Sequence, residues 1–158
     1  MAEELIRDRK MEESWVIYWR DWTADTYLYG SKIQFHKKDE IEFWNEMMAP
    51  GTIIKQWYSK TNYQANKIEP TLPLIDGENR YQLVVNIDCE EKEHFLIRLV
   101  FYDKYDKEVG FVNIRDQVTD FKCPIQTYSY KMQLINSGMT HFYFHYVVLR
   151  DITAIEQI

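Results

Sequence analysis

The amino-acid sequence predicts an all-β fold, a jelly-roll β-sandwich, on three observations. Apolar and polar residues alternate along several short segments, turn-forming residues separate these segments, and the gaps leave no room for a crossover helix. At 158 residues the chain has the length of one ordinary domain. We therefore assign residues 14–158 to a single sandwich domain, and residues 1–13 to an N-terminal extension that is either frayed or one helical turn.

The alternation is clearest in the C-terminal half of the chain. Every odd-numbered residue is apolar in residues 81–89 and again in 95–101, although the even-numbered set of the second segment is mixed. Residues 128–134 and 142–148 repeat the pattern, the latter with weaker contrast. These four segments predict antiparallel strands. Between them, turns are predicted at residues 90–93, 103–108 and 136–138. Two shorter strands are predicted at residues 109–114 and 121–123.

The N-terminal half is less regular. Residues 15–19 are apolar throughout, which predicts a strand buried on both faces, and residues 31–35 and 40–44 predict a hairpin. The Pro50-Gly51 turn precedes a predicted strand at residues 52–59. The segment that follows, residues 68–79, contains Pro70, Pro73 and Gly77 and is predicted to be an extended connector. The total is roughly nine to eleven strands, as expected for a sandwich or jelly roll.

Composition argues against several function classes. The net charge is −6, and a basic stripe of the kind that binds nucleic acid is missing. The two cysteines, Cys89 and Cys123, are too few for an extracellular disulfide framework and are expected to be free thiols. The first 14 residues resemble no secretory signal, and no run approaches the ~18 apolar residues of a spanning helix. We expect a cytoplasmic protein that binds no nucleic acid.

The sequence also gives no sign of catalytic or metal chemistry. His141 and His145 are four residues apart, but in a strand this spacing separates them by about 13 Å, too far for a shared metal. Neither a GxSxG elbow, an HExxH motif nor a glycine-rich phosphate loop occurs. We therefore predict no catalytic residue, no metal ligand and no cofactor, while a spatial triad and a structural calcium in the acidic turns stay open.

The aromatic share of 16% is high, and one aromatic segment mixes planar rings with hydrogen-bonding side chains. It runs from Trp57 to Tyr63 and contains Asn62 as well as Tyr58. Rings that stack on apolar C–H faces beside amides and hydroxyls are typical of sugar or extended-peptide recognition. We predict that Trp57, Tyr58, Asn62 and Tyr63 form a recognition surface. The alternative is that Trp57 and Tyr58 are packing residues on the two faces of the strand.

Four stretches in their joint order resemble the third accessory secretory protein family of the bacterial accessory Sec system. They are Tyr27-Leu28-Tyr29-Gly30-Ser31, residues 50–64, residues 70–75, and residues 128–138. The resemblance runs from about Trp15 to Leu149, and no single stretch is a chemical motif. It implies a non-catalytic component that looks like a carbohydrate-binding module.

The resemblance also implies partners. Members work in a cytosolic complex with the first and second accessory secretory proteins, an accessory SecA-type motor and a second channel, and they help to export serine-rich repeat glycoprotein adhesins. The adhesin precursor, and a glycan on it, are then the expected ligands, and contact with the membrane is peripheral through the translocase. Two alternatives remain: a stand-alone cytoplasmic carbohydrate-binding module, and a hydrolase or isomerase built on a jelly roll.

Overall fold

The computed structural model describes residues 13–20, 25–60, 71–89 and 95–156. Within these ranges the chain forms ten β-strands and one short helix. In chain order they are β1 (Glu13–Ile17), β2 (Lys32–Lys37), β3 (Glu40–Trp44), β4 (Ile53–Tyr58), β5 (Arg80–Cys89), β6 (Phe95–Tyr102), β7 (Glu108–Ile114), β8 (Val118–Lys122), β9 (Ser129–Asn136), β10 (His141–Asp151) and α1 (Thr153–Glu156).

The strands form two antiparallel sheets. Sheet A has six strands in the order β2-β3-β10-β5-β8, with β1 also paired to β10. Sheet B has four strands in the order β4-β9-β6-β7. Neighbours in a sheet are mostly distant in sequence, as in a sandwich whose connections cross between layers. The predicted all-β sandwich is confirmed.

A β-bulge in β10 decides which of its residues enter the core. The register with β5 shifts between Phe144 and Tyr146, so that one extra residue, His145, is accommodated. Phe142 and Phe144 point inward before the shift, and Val147 and Leu149 point inward after it; all four are buried. The bulge therefore moves the core-facing set from even to odd residue numbers while keeping one continuous apolar face.

The core between the sheets centres on Trp19. Its ring lies 5.5 Å from that of Phe144, 6.0 Å from that of Phe43 and 6.1 Å from that of Trp57, measured between ring centroids. The contact with Trp57 is edge-to-face, a favourable arrangement for aromatic quadrupoles. Much of the aromatic surplus of the sequence therefore serves to join the two sheets.

Most predicted elements are confirmed, with shifts of a few residues at their ends. β2 and β3 form the predicted hairpin, and Cys89 and Cys123 are free thiols. The prediction of a strand buried on both faces at residues 15–19 is wrong. β1 ends at Ile17, which is buried, while its neighbour Val16 is 49% exposed, because only one face of β1 meets the core.

Some predictions fall outside the described residues. They concern residues 1–12, the whole turn at 90–93, and residues 68–70 of the predicted connector. Residues 71–79 of that connector contain no strand, as expected. In the described ranges no helix has the length and apolar character needed to cross a bilayer.

Candidate binding groove

A chain of depressions follows the outer face of sheet B. Three neighbouring hollows have volumes of about 460, 300 and 420 Å³. The first and second share Tyr102 and Lys131, and the second and third share Arg98. We call this continuous feature the sheet B groove, defined by Tyr58, Tyr102 and Lys131 at one end, Arg98 in the middle, and Arg115 at the other end.

The strand register places the groove side chains in rows across the sheet. One row consists of Tyr58, Lys131, Val100 and Phe111. The next row, two residues further along each strand, consists of Gln56, Gln133, Arg98 and Asn113. Because side chains alternate between the two faces of a sheet, both rows point away from the core.

The floor of the groove is sunken. Val100 and Gln133 point outward, yet they are only 4% and 6% exposed, because longer side chains surround them. The amide of Gln133 donates to Gln56 Oε1 at 3.0 Å, and Arg98 Nε donates to Asn113 Oδ1 at 2.8 Å. The second row therefore crosses all four strands as a line of hydrogen-bonding groups.

Aromatic rings along the groove carry cations on their faces. Lys131 lies 5.5 Å above the ring of Tyr102, measured from Nζ to the ring centroid, and Arg98 lies 5.6 Å from the ring of Phe111. Beside the first hollow, Lys60 lies 5.2 Å from the ring of Tyr128. These are cation–π distances. The groove thus presents positive charge beside the rings of Tyr102, Phe111 and Tyr128.

The phenols of Tyr58 in the groove and of Tyr130 in the core beneath it have pKa values raised above the ordinary value. Burial raises the pKa of Tyr58, and the negative charge of Asp25 raises it further. Burial also raises the pKa of Tyr130, whose hydroxyl donates to the carbonyl oxygen of Pro73 at 2.7 Å. Both side chains are protonated near neutral pH and act as hydrogen-bonding groups, not as charges.

The structure separates the residues of the predicted recognition surface. Tyr58 lines the groove. Its role in binding stays a prediction. Trp57 does not lie at a surface: it is 2% exposed, and its indole Nε1 donates to the carbonyl oxygen of Tyr18 at 2.9 Å. The alternation that turns Tyr58 outward turns Trp57 inward. Asn62 and Tyr63 lie outside the described residues.

A second polar cluster lies on the outer face of sheet A. Glu42 on β3 is nearly buried, with Oε1 2.7 Å from His36 Nε2 and Oε2 2.7 Å from His141 Nε2. Burial alone would raise the pKa of Glu42, but hydrogen bonds with His36, His141 and Tyr143 outweigh it, and the pKa is lowered. His145 bonds instead with the backbone carbonyl of Asp39 and the carboxylate of Asp88, so both histidines of the 141/145 pair are locally hydrogen-bonded.

No group of three or more histidine, cysteine or acidic side chains in the described ranges is placed to hold a metal ion. The sheet B groove offers donors, acceptors, rings and cations, which is the chemistry of binding. Its key side chains, Arg98 and Lys131, were not singled out by the sequence. The alternation does place both side chains on the outward, polar or mixed face of a predicted strand.

Comparisons with known proteins identify the relatives of this sandwich. The model of a family described as accessory Sec secretory system, accessory secretory protein 3, matches residues 26–151. The third accessory Sec system protein of Streptococcus gordonii is 37% identical over 127 residues, which is 80% of each chain. The chain belongs to this accessory Sec family. The family resemblance predicted from the sequence is thereby confirmed, and the protein is a component of the accessory Sec system.

Two solved structures are similar to this family member. A chain in the Glycosylation Associate Protein (Gap123) complex from Streptococcus agalactiae aligns with a TM-score of 0.82 and 34% identity over 89% of this chain. That match covers 45% of the other chain, so this chain spans less than half of it. A chain in the structure of accessory secretory proteins 1, 2 and 3 of Streptococcus pneumoniae aligns with a TM-score of 0.81 and 26% identity, covering 86% of this chain and 94% of that one.

Proposed function

We propose that this chain is a non-catalytic adaptor subunit of an accessory Sec complex that helps to export serine-rich repeat glycoprotein adhesins. The observation that carries the proposal is the match, at 34% identity, to a chain of the Glycosylation Associate Protein (Gap123) complex and, at 26% identity, to a chain in the structure of accessory secretory proteins 1, 2 and 3. A sandwich whose core is closed and whose outer faces carry polar clusters suits a protein that acts through contacts.

The partners follow from the same match. We infer that the first and second accessory secretory proteins bind this chain, and that the accessory SecA-type motor and the adhesin precursor act with the assembly. The proposed location is the cytoplasm, with peripheral contact to the membrane through the translocase. The sequence expectation of a cytoplasmic protein, drawn in part from the few cysteines, is the same.

The sheet B groove is the proposed contact surface for the adhesin, through its polypeptide or its sugars. It combines the phenol of Tyr58, the line of amides at Gln56 and Gln133, and the cations Arg98 and Lys131. These groups can contact an extended chain that lies along the strands, because the rows repeat every two residues in that direction.

Co-expression tests the adaptor role. The tagged chain is produced together with the first and second accessory secretory proteins, and the purified material is analysed by size-exclusion chromatography with light scattering. We expect a stable assembly containing all three proteins. A monodisperse chain that leaves both partners behind and is retained by sugar in affinity electrophoresis would instead identify a stand-alone carbohydrate-binding module.

A groove variant provides the control for that experiment. Arg98→Gln combined with Lys131→Gln should leave the three-protein assembly intact, because the groove is proposed to receive the adhesin and not the two subunits. Catalysis is tested separately: a His141→Gln variant that keeps its melting temperature but loses a hydrolytic activity present in the wild type would show an enzyme.

A further inference from the structure

We propose that the sheet B groove selects an extended acidic polypeptide segment, with carboxylates at every second residue. The proposal rests on the proposed function in that it names the ligand chemistry of the same groove. It also decides between the two ligands considered above, because it assigns recognition to charge and backbone hydrogen bonds instead of ring stacking on neutral sugar.

The first argument is the excess of positive over negative side chains in the groove lining. Among the described residues, Lys60 meets a carboxylate, Asp106, at 3.8 Å. The hydrogen-bond and ring partners of the other three groove cations are neutral: Arg98 bonds to Asn113, Arg115 bonds to Ser137, and Lys131 lies over Tyr102. Glu108 also lines the middle hollow, so the lining holds four cations and two carboxylates. These cations gather on one face of a protein with net charge −6. A ligand with negative charges would supply the missing partners.

The second argument concerns the aromatic rings. A neutral sugar is usually held by an exposed ring face that covers its C–H groups. In the groove, the faces of Tyr102 and Phe111 are approached by Lys131 and Arg98. A sugar that stacked on the same ring faces would have to displace these cations, whereas a carboxylate can approach them where they are.

The third argument is the spacing of the rows. Lys131 and Arg98 stand in successive rows on the same face of sheet B, two residues apart along the strands. Two residues of extended chain span about 6.6 Å, so alternate side chains of a bound strand meet successive rows. In the row of Arg98, the amides of Gln56 and Gln133 offer both donors and acceptors, which match the N–H and C=O groups of a polypeptide backbone.

A direct binding experiment tests this ligand class. The probe is a fluorescent peptide of about 10 residues alternating glutamate with serine, long enough to follow a groove of the length of β6. Its partner probe carries glutamine in place of glutamate. We expect the acidic peptide to bind at least tenfold more tightly in fluorescence anisotropy, and its binding to weaken as salt is raised from about 0.05 to 0.3 M.

Single-charge variants locate the binding. Lys131→Gln and Arg98→Gln should each weaken binding of the acidic peptide by about three- to fivefold, the effect of removing one partly exposed ion contact. Lys122→Gln is the matched control, since Lys122 is exposed on β8 of sheet A and its loss changes the net charge equally. Unchanged melting temperatures show that the variants are folded.

Four outcomes would overturn the proposal. They are equal binding of the glutamine peptide, tighter binding of a neutral oligosaccharide, binding to phosphatidylglycerol vesicles in preference to the acidic peptide, and equal losses in Lys122→Gln and Lys131→Gln. Absence of peptide binding would also overturn it. None of these outcomes affects co-purification with the two accessory proteins, so failure here is distinguishable from failure of the adaptor role.

Discussion

At the scale of the single residue, Trp57 shows how one step along a strand separates core from surface. Its ring packs against Trp19 and lies 5.4 Å from that of Phe144, joining β4 of sheet B to β10 of sheet A. The next residue, Tyr58, lies on the opposite face, in the groove. The two neighbours therefore contribute to different properties, Trp57 to folding and Tyr58 to the groove surface.

We predict that Trp57→Ala lowers the free energy of unfolding by about 3–5 kcal/mol, because it opens a cavity among aromatic rings and removes the hydrogen bond to Tyr18. Denaturant titration measures this loss. Tyr58→Ala is the neighbouring control and should cost much less stability while changing the groove surface. Equal losses in the two variants would contradict the placement of Trp57 in the core.

Lys55 is a cation held in an apolar setting. It is 2% exposed, its Nζ lies 5.1 Å from the ring centroid of Trp19, and it donates to Thr26 Oγ1 at 3.2 Å. Burial lowers the pKa of Lys55 to about 8, against the opposing effect of the negative charge of Asp25. In the unfolded chain its pKa returns to the ordinary value of 10.5.

The lowered pKa of Lys55 predicts a definite pH dependence. Between pH 8 and 10.5 the unfolded state holds this proton and the folded state does not, so the contribution of Lys55 to stability rises with pH across that window. Relative to Lys55→Met, the free energy of unfolding of the wild type should increase by roughly 2 kcal/mol from pH 8 to pH 10. Parallel urea titrations of both proteins measure it, and a constant difference would disprove the assignment.

At the scale of the element, one carboxylate connects three strands. Glu42 on β3 hydrogen-bonds to His36 on β2 and to His141 on β10. β2 is the edge strand of sheet A, and most of its residues are exposed. The side-chain bonds of Glu42 therefore add to the few contacts that hold this edge strand in place.

We predict that Glu42→Gln increases hydrogen exchange of the β2 amides while leaving those of β9 unchanged. The pKa of Glu42 is lowered in the folded state, so its stabilising contribution is present above pH 4.5 and is lost as the pH falls below it. The difference in melting temperature between wild type and variant should therefore shrink on acidification. Glu40→Gln on the same strand is the control, and an equal effect there would argue against a special role for Glu42.

At the scale of the whole molecule, period-two alternation was sufficient to predict the class and most strands. Segments such as residues 81–89 have one face in the core and one outside, and the pattern records this directly. The alternation gave a wrong prediction at residues 15–19, because both faces of this segment carry apolar residues although one face of β1 is exposed. It also could not show the bulge in β10, because a shift of register depends on the partner strand.

The groove could not be predicted for a related reason. Arg98 and Lys131 lie on β6 and β9, and their proximity follows from strand order, which alternation does not specify. In the sequence Arg98 only interrupts a hydrophobic run. The aromatic segment at residues 57–63 is contiguous and therefore visible in the sequence, whereas the groove residues come from four strands.

Because the two sheets pack against each other through the core, their outer faces are separate surfaces for binding. The sheet B groove and the Glu42 cluster open in opposite directions, with the closed aromatic core between them. A cargo segment lying in the groove would leave the far side uncovered. Cargo and a neighbouring subunit could thus be held at the same time, without competition, by a domain of only 19.3 kDa.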